Sequence, residues 1–203
     1  MPATGSQRRR TTSTALSALV AVWLIAPFVV GIALAQGVDQ NSSNSYRFND
    51  AARSLAETER NNDFDKAVKA YERGDYPAAL RLLRPLAQKG NAEAQNNLGL
   101  MYAMGRGVPQ DYAAAERWYH MAADKGVASA QNNLGVMYTG GQGVKQDYIQ
   151  AYMWFTLAAS SFTGSEAEQR SKVVKNRDAL AADMTQAEIA EAQKLAREWK
   201  PTR

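Results

Sequence analysis

The chain repeats itself at an interval of 36 residues. The run Ala-Gln-Asn-Asn-Leu-Gly occupies residues 94–99 and returns, unchanged, at residues 130–135. The register then holds without a gap across the following pairs: Met101 and Met137, Tyr102 and Tyr138, Gly105 and Gly141, Gly107 and Gly143, Val108 and Val144, Asp111 and Asp147, Tyr112 and Tyr148, Ala115 and Ala151, Trp118 and Trp154, Tyr119 and Phe155, Ala122 and Ala158, Ala123 and Ala159. A period of this length is typical of a protein built by stacking one supersecondary unit on the next.

Each unit reads as two helices. The first has an apolar stripe at helical spacing and is stopped by Gly105 and Gly107. The second begins at Asp111, a favourable N-cap whose carboxylate can accept backbone N–H groups, and it ends at Gly126. The two stripes consist of Ala94, Leu98, Met101 and Tyr102, and of Ala115, Trp118, Tyr119 and Ala122. Small residues between the aromatic ones let helix axes approach closely, as in a helical solenoid.

The units on either side are less regular. A degenerate first repeat is predicted at residues 63–90, followed by full repeats at 91–126 and 127–162. After residue 162 the pattern changes, and residues 163–203 are predicted to be C-terminal capping helices, at about 166–182 and 186–199. Terminal units of a solenoid are atypical because one of their faces meets water.

Two capping boxes support the C-terminal helices. Ser165 is followed by Glu168, and Thr185 is followed by Glu188. A hydroxyl three residues before a carboxylate is the sequence signature of a helix start.

The repeated run resembles the Sel1-like repeat, a relative of the tetratricopeptide repeat. It reads Ala-Gln-x-Asn-Leu-Gly-x-Met-Tyr-x-x-Gly-x-Gly-Val-x-x-Asp-Tyr-x-x-Ala-x-x-Trp-aromatic-x-x-Ala-Ala, and two copies span residues 92–160. The resemblance implies an all-α fold, an α-solenoid of antiparallel helix pairs. It also implies an adaptor that binds another protein, in bacteria often in the envelope.

By analogy with the tetratricopeptide groove, the resemblance places the partner on exposed positions of the first helices. Those positions are Glu93, Asn96, Leu100, Ala103, Ser129, Asn132, Val136 and Thr139. Asn97 and Asn133 lie beside the core leucines and are predicted to form hydrogen bonds between repeats. The groove positions carry no aromatic ring, which favours a protein partner over the alternative, a glycan or peptidoglycan.

The N-terminal 35 residues have the layout of an export signal. Arg8, Arg9 and Arg10 precede an uncharged stretch at residues 15–35, which ends in Ala-Leu-Ala. The alternative is an uncleaved membrane anchor, because 21 residues without a charge can span hydrocarbon. Both alternatives predict that the repeats lie outside the cytoplasm. A cleaved signal would release them to the periplasm or beyond, and an anchor would hold them at the inner membrane. Residues 36–62 are predicted to be a polar linker.

Charge and composition favour a scaffold over an enzyme. Without the three N-terminal arginines, the chain keeps 21 of its 24 basic side chains against 20 acidic ones, too even a balance for a nucleic-acid interface. No cysteine is present, so thiolate chemistry and cysteine metal sites are excluded. His120 has no motif partner, and Asp111 and Asp147 are predicted to cap helices. We therefore expect no catalytic residue, metal or cofactor.

The N-terminal layout predicts cleavage after Ala35. Sequencing the N-terminus of the native protein should give Gln36 as the first residue. A chain that begins at Met1 in the membrane would reject cleavage and keep export, whereas a cytoplasmic product would contradict both.

Overall fold

The computed structural model describes Ser54, Glu57 and residues 62–202. The fold below is that of the unit Ala56–Arg203. The predicted signal or anchor at 1–35 lies outside the described residues, as does nearly all of the predicted linker at 36–62. Within the described part, no helix combines the length and the apolar character needed to cross a bilayer.

The described residues form helices joined by turns and contain no strand, so the predicted all-α solenoid is confirmed for this part of the chain. Residues 62–72 form α1. The other helices are α2 (Tyr76–Gln88), α3 (Ala92–Met104), α4 (Tyr112–Ala123), α5 (Ala128–Gly140), α6 (Tyr148–Ser161), α7 (Ala167–Ala181) and α8 (Gln186–Glu198). Each helix from α2 to α6 packs on the next one along the chain, and α8 returns to α6.

Aspartates start the second helix of each unit, as predicted. The carboxylates of Asp111 and Asp147 accept hydrogen bonds from the backbone N–H groups of Ala114 and Gln150, at 2.8 and 3.0 Å. Asp75 caps α2 in the same way. Gly105 ends α3 in the left-handed conformation at φ +65°, which a residue with a side chain rarely adopts.

A missing side chain brings the two helices of each repeat together. A Cβ atom at Gly99 would lie 2.7 Å from the ring of Tyr119, and one at Gly135 would lie 2.6 Å from the ring of Phe155. Carbon atoms cannot approach that closely, so only glycine allows the aromatic side chain of the second helix to lie against the backbone of the first.

A buried glutamine joins each repeat to the preceding one. Gln95 is fully buried, and its amide donates to the carbonyl of Ala87, near the end of α2, at 3.0 Å. The side-chain oxygen of Gln95 accepts from the ammonium of Lys125 at 3.2 Å, and that ammonium also donates to the Gly90 carbonyl at 2.6 Å. One amide therefore ties together the ends of α2 and α4.

The same bridge recurs 36 residues later with a different donor. Gln131 is fully buried and donates to the carbonyl of Ala123 at 3.3 Å. Its oxygen accepts from the hydroxyl of Ser161 at 3.0 Å, where the first bridge uses Lys125. Because a buried amide without partners costs a few kcal/mol, the bridge penalises any other register of the stack.

The second repeat ends the stack through α6, which is covered on more than one side. Both α7 and α8 pack on it, and eight of its residues are buried: Ala151, Tyr152, Met153, Trp154, Phe155, Leu157, Ala158 and Ala159. Helix α6 differs from α4 at three equivalent positions of the repeat. It carries Tyr152, Met153 and Leu157 where α4 carries Glu116, Arg117 and Met121. A helix that is apolar nearly all round is a buried helix.

One predicted capping box is wrong. At the start of the C-terminal region, the carboxylate of Glu166 accepts from the backbone N–H of Thr163 at 3.2 Å, and Ser165 lies within a short 3-10 turn, Gly164–Glu166. The reason is that the 3-10 turn begins at Gly164. The N-cap position therefore falls on Thr163 and not on Ser165. The predicted box of Thr185 and Glu188 is confirmed, and it lowers the pKa of Glu188 through the hydrogen bond from Thr185.

Substituting Gln131 by Leu tests the bridge. The variant keeps the side-chain size and loses two hydrogen bonds, so the free energy of unfolding should fall by about 1–3 kcal/mol. Denaturant unfolding of Gln131→Leu and of the control Gln193→Leu, an exposed glutamine on α8, measures this. The control should stay within about 0.5 kcal/mol of the parent, and equal stability of both variants would show that the bridge contributes nothing.

Candidate partner-binding surface

An open cleft of about 470 Å³ lies between α5, α6 and α7. This volume falls within the range of pockets that hold small molecules. Its lining consists of Val136, Thr139, Gly140, Gln142, Tyr148, Phe155, Asn176, Ala179, Leu180 and Asp183.

The floor of the cleft is apolar. Phe155 of α6 is 2% exposed, and Leu180 of α7 is 5% exposed. Val136 of α5 stands beside them with 44% of its surface exposed, one of three large hydrophobic side chains that are exposed among the described residues. An exposed apolar side chain next to a buried apolar floor is the arrangement that a bound apolar group would cover.

Polar groups surround this floor. Gln142, Asn176 and Asp183 are exposed, and they offer two amides and one carboxylate. The hydroxyl of Thr139 donates to the carbonyl of Gly135 at 2.8 Å, so it is already engaged within α5. Of the described residues that line the cleft, Asp183 alone carries a formal charge.

Two of the predicted site residues on α5 line the cleft, and two do not. Val136 and Thr139 belong to the lining. Ser129 is exposed at the start of α5. Asn132 is half-buried, and its side-chain oxygen is buried without a hydrogen-bond partner in the described part of the chain.

The predicted site residues on α3 lie away from the cleft. Glu93 is exposed, and Asn96 is half-buried and accepts a hydrogen bond from the amide of Asn133 at 3.2 Å. Leu100 and Ala103 are half-buried and pack against the core cluster that α4 to α8 form. The predicted role of Asn133 between repeats is confirmed, and its partner is one of the residues assigned to the groove.

The contribution of α7 was missed at the sequence level. Asn176, Ala179 and Leu180 of α7 follow the spacing of one helical face, and Asp183 lies in the turn after the helix. Together these residues form a wall of the cleft. The sequence of residues 163–203 predicts only a capping role. The signal that could have revealed the wall is this spacing, together with the extra apolar positions of α6.

His120 lies outside the cleft and packs against the stack. Its ring meets that of Trp154 edge-on, with centroids 5.3 Å apart, and its side chain remains 38% exposed. Trp154 meets Trp199 in a similar way at 6.4 Å. His120 is therefore only partly exposed, because α6 brings the ring of Trp154 against it.

Two tyrosines within the repeats have raised pKa values. Burial raises the pKa of Tyr119, whose ring lies against Gly99. Burial is also the main cause at Tyr138, and the nearby carboxylates of Glu116 and Asp147 add to it. Both phenols stay neutral over the physiological range. In the part of the chain that is described, no group of three His, Cys, Asp or Glu residues could hold a metal ion.

Comparison with known proteins identifies the repeats. The model of the Sel1 repeat matches residues 92–127 and 128–161. No curated protein matches the chain. Two Sel1 repeats therefore account for α3 to α6.

Two solved structures show the same helical solenoid. One is a protective antigen of uropathogenic Escherichia coli strains that displays an SLR fold, with 26% identity, a TM-score of 0.63, and coverage of 73% of this chain and 31% of that one. The other is a Sel1 repeat protein from Oxalobacter formigenes, with 26% identity, a TM-score of 0.53, and coverage of 68% and 56%. The chain thus spans about a third of the first relative and just over half of the second.

A double-mutant cycle on Asn96 and Asn133 tests whether these residues stabilise the stack together. Because their amides are hydrogen-bonded across the repeat boundary, we expect a coupling energy of about 0.5–1.5 kcal/mol between Asn96→Ala and Asn133→Ala. Denaturant unfolding of the single and double variants measures it. A control cycle combines Asn96→Ala with Asn176→Ala on α7, and there the changes in the free energy of unfolding should be additive. Additive changes in both cycles would contradict the hydrogen bond between Asn96 and Asn133.

Proposed function

We propose that this chain is a non-enzymatic scaffold that binds a partner protein in the bacterial envelope. The partner occupies the cleft between α5, α6 and α7 and the adjoining face of the first helices, the concave face of the solenoid. The observation that carries the proposal is Val136, an exposed hydrophobic side chain beside the buried Phe155 and Leu180. Covering such a side chain on binding is favourable by about 25 cal/mol for each Å² of apolar surface.

The charge distribution of the first helices supports a peptide-like partner. Helices α3 and α5 together contain a single charged residue, Glu93. Their exposed positions offer amides, hydroxyls and small apolar groups, which suit an uncharged backbone and apolar side chains. A surface with a single charge also binds such a segment at little cost from stripping water off ions.

The repeat family supports the same class of function. Sel1 repeat proteins commonly act as protein-interaction scaffolds, and the repeat fold is typically non-catalytic. For placement in the envelope, the support is the export-like layout of residues 1–35. The Escherichia coli relative is a protective antigen, a property that agrees with placement outside the cytoplasm.

A glycan is the second candidate ligand, and one feature of the cleft favours it. Tyr148 contributes a half-buried ring next to the amides of Gln142 and Asn176. An aromatic face beside amide groups can stack on a sugar ring and bond its hydroxyls. Sedimentation of the chain with purified peptidoglycan, with Tyr148→Ala as the variant, separates this function from protein binding.

Two substitutions at equal exposure test the location of the partner site. Val136 on α5 and Met121 on α4 are each 44% exposed, and only Val136 lines the cleft. Val136→Glu should lose the partner in affinity capture from native envelopes, because a charge would replace the apolar contact, while Met121→Glu should retain it. Both variants should melt within a few degrees of the parent chain, since exposed substitutions cost little.

The opposite pattern would move the site to the second helices. Retention of the partner by both folded variants would place it elsewhere on the chain and reject the proposed cleft.

A further inference from the structure

We propose that α7 and the turn that follows it form the specificity-determining wall of the cleft, and that this wall selects a partner segment in which an apolar side chain lies next to a lysine or arginine. The inference rests on the proposed function, because it assigns the chemistry of the segment that the scaffold binds. Three observations carry it: the face that α7 presents, the charge in the turn that follows α7, and the space opened at one glycine.

The first observation is that α7 presents different faces to the core and to the cleft. Val173 is 3% exposed, and the guanidinium of Arg177 lies 5.8 Å from the centre of the Tyr152 ring of α6. Asn176 of α7 and Asp183, in the turn that follows α7, line the cleft and are exposed. A helix that served only to cover α6 would need the core side alone. The residue types on its cleft side would then be unconstrained.

The second observation is the sign and the availability of the charge. Among the described residues that line the cleft, none is a lysine or arginine, and Asp183 is the one carboxylate. The described residues provide no ion pair for Asp183, whereas the neighbouring carboxylate of Asp178 is bound by Arg177 at 2.7 Å. A cation on the partner is the group that complements a free carboxylate at the rim of an apolar cleft.

The third observation is the space at Gly140. The preceding repeat carries Met104 at this position, and that side chain is 50% exposed. A Cβ atom on Gly140 would meet only the side chain of Gln142, at 3.5 Å, which is ordinary contact, and the backbone there is not left-handed. The missing side chain thus leaves the cleft open beside Val136, and an apolar side chain of the partner fits this space.

Labelled peptides of defined sequence test the inference on the full chain. The probes are neutral peptides of alanine, serine and glutamine with one central phenylalanine, followed by lysine, alanine or glutamate. A fourth probe has alanine in place of the phenylalanine and keeps the lysine. Fluorescence anisotropy gives the dissociation constant of each probe for the parent and for Asp183→Asn, Asp183→Lys, Gly140→Met and the control Asp178→Asn.

We expect the Phe-Lys probe to bind the parent about two- to fivefold more tightly than the Phe-Ala probe, the effect of one exposed ion pair. Asp183→Asn should abolish this difference, and Asp183→Lys should shift the preference to the Phe-Glu probe. Gly140→Met should weaken all three Phe probes by filling the space that the ring occupies. Asp178→Asn should behave like the parent, because its carboxylate faces Arg177.

Two results would overturn the inference. One is a preference for Phe-Lys that persists in Asp183→Asn, and the other is equal binding of the Phe-Lys and Ala-Lys probes by the parent. If either result is obtained and Val136→Glu still loses the captured partner, the selection by α7 and its following turn is rejected and the proposed function is retained. Failure of Val136→Glu to lose the partner removes the proposed function itself.

Discussion

A glutamine that water cannot reach closes each boundary between the repeats. Gln95 and Gln131 each donate to a carbonyl at the end of the preceding unit and accept from a residue at the end of their own. Apolar contacts between helices are tolerant of small shifts, whereas a buried amide is satisfied in one register and is costly in the others. The relative placement of α2 to α6 depends on these two amides, and so does the position of every exposed side chain on the first helices.

The end of the stack depends on a change in α6. Where α4 has charged or exposed side chains, α6 has Tyr152, Met153 and Leu157, which are buried under α7 and α8. These two helices satisfy the apolar surface that a further repeat would otherwise have to cover. The same packing sets α7 against α5 across a gap, and that gap is the cleft. The packing that ends the stack of repeats therefore also forms the candidate site.

Small differences between otherwise similar repeats locate the candidate site. The first repeat has Leu100, Ala103 and Met104 where the second has Val136, Thr139 and Gly140. Leu100 and Ala103 pack against the core that α4 to α8 form, and Met104 is 50% exposed, whereas Val136, Thr139 and Gly140 line the cleft beside α7. An equivalent helix position is therefore structural in one repeat and available for binding in the next, because the neighbour that covers it has changed.

The sequence by itself determined the repeat, the helix pairs, the aspartate caps and the glycine turns, because each of these follows from the spacing of residues close together in the chain. It also predicted Asn133 as a bridge between repeats. Only the tertiary structure decided that Asn96 is its partner, that Gln95 and Gln131 are buried, and that Val136 and Thr139 share a cleft with Asn176 and Asp183. The physical reason is that a helix position acquires its environment from the element packed against it, and α7 has no counterpart in the repeat from which its place could be read.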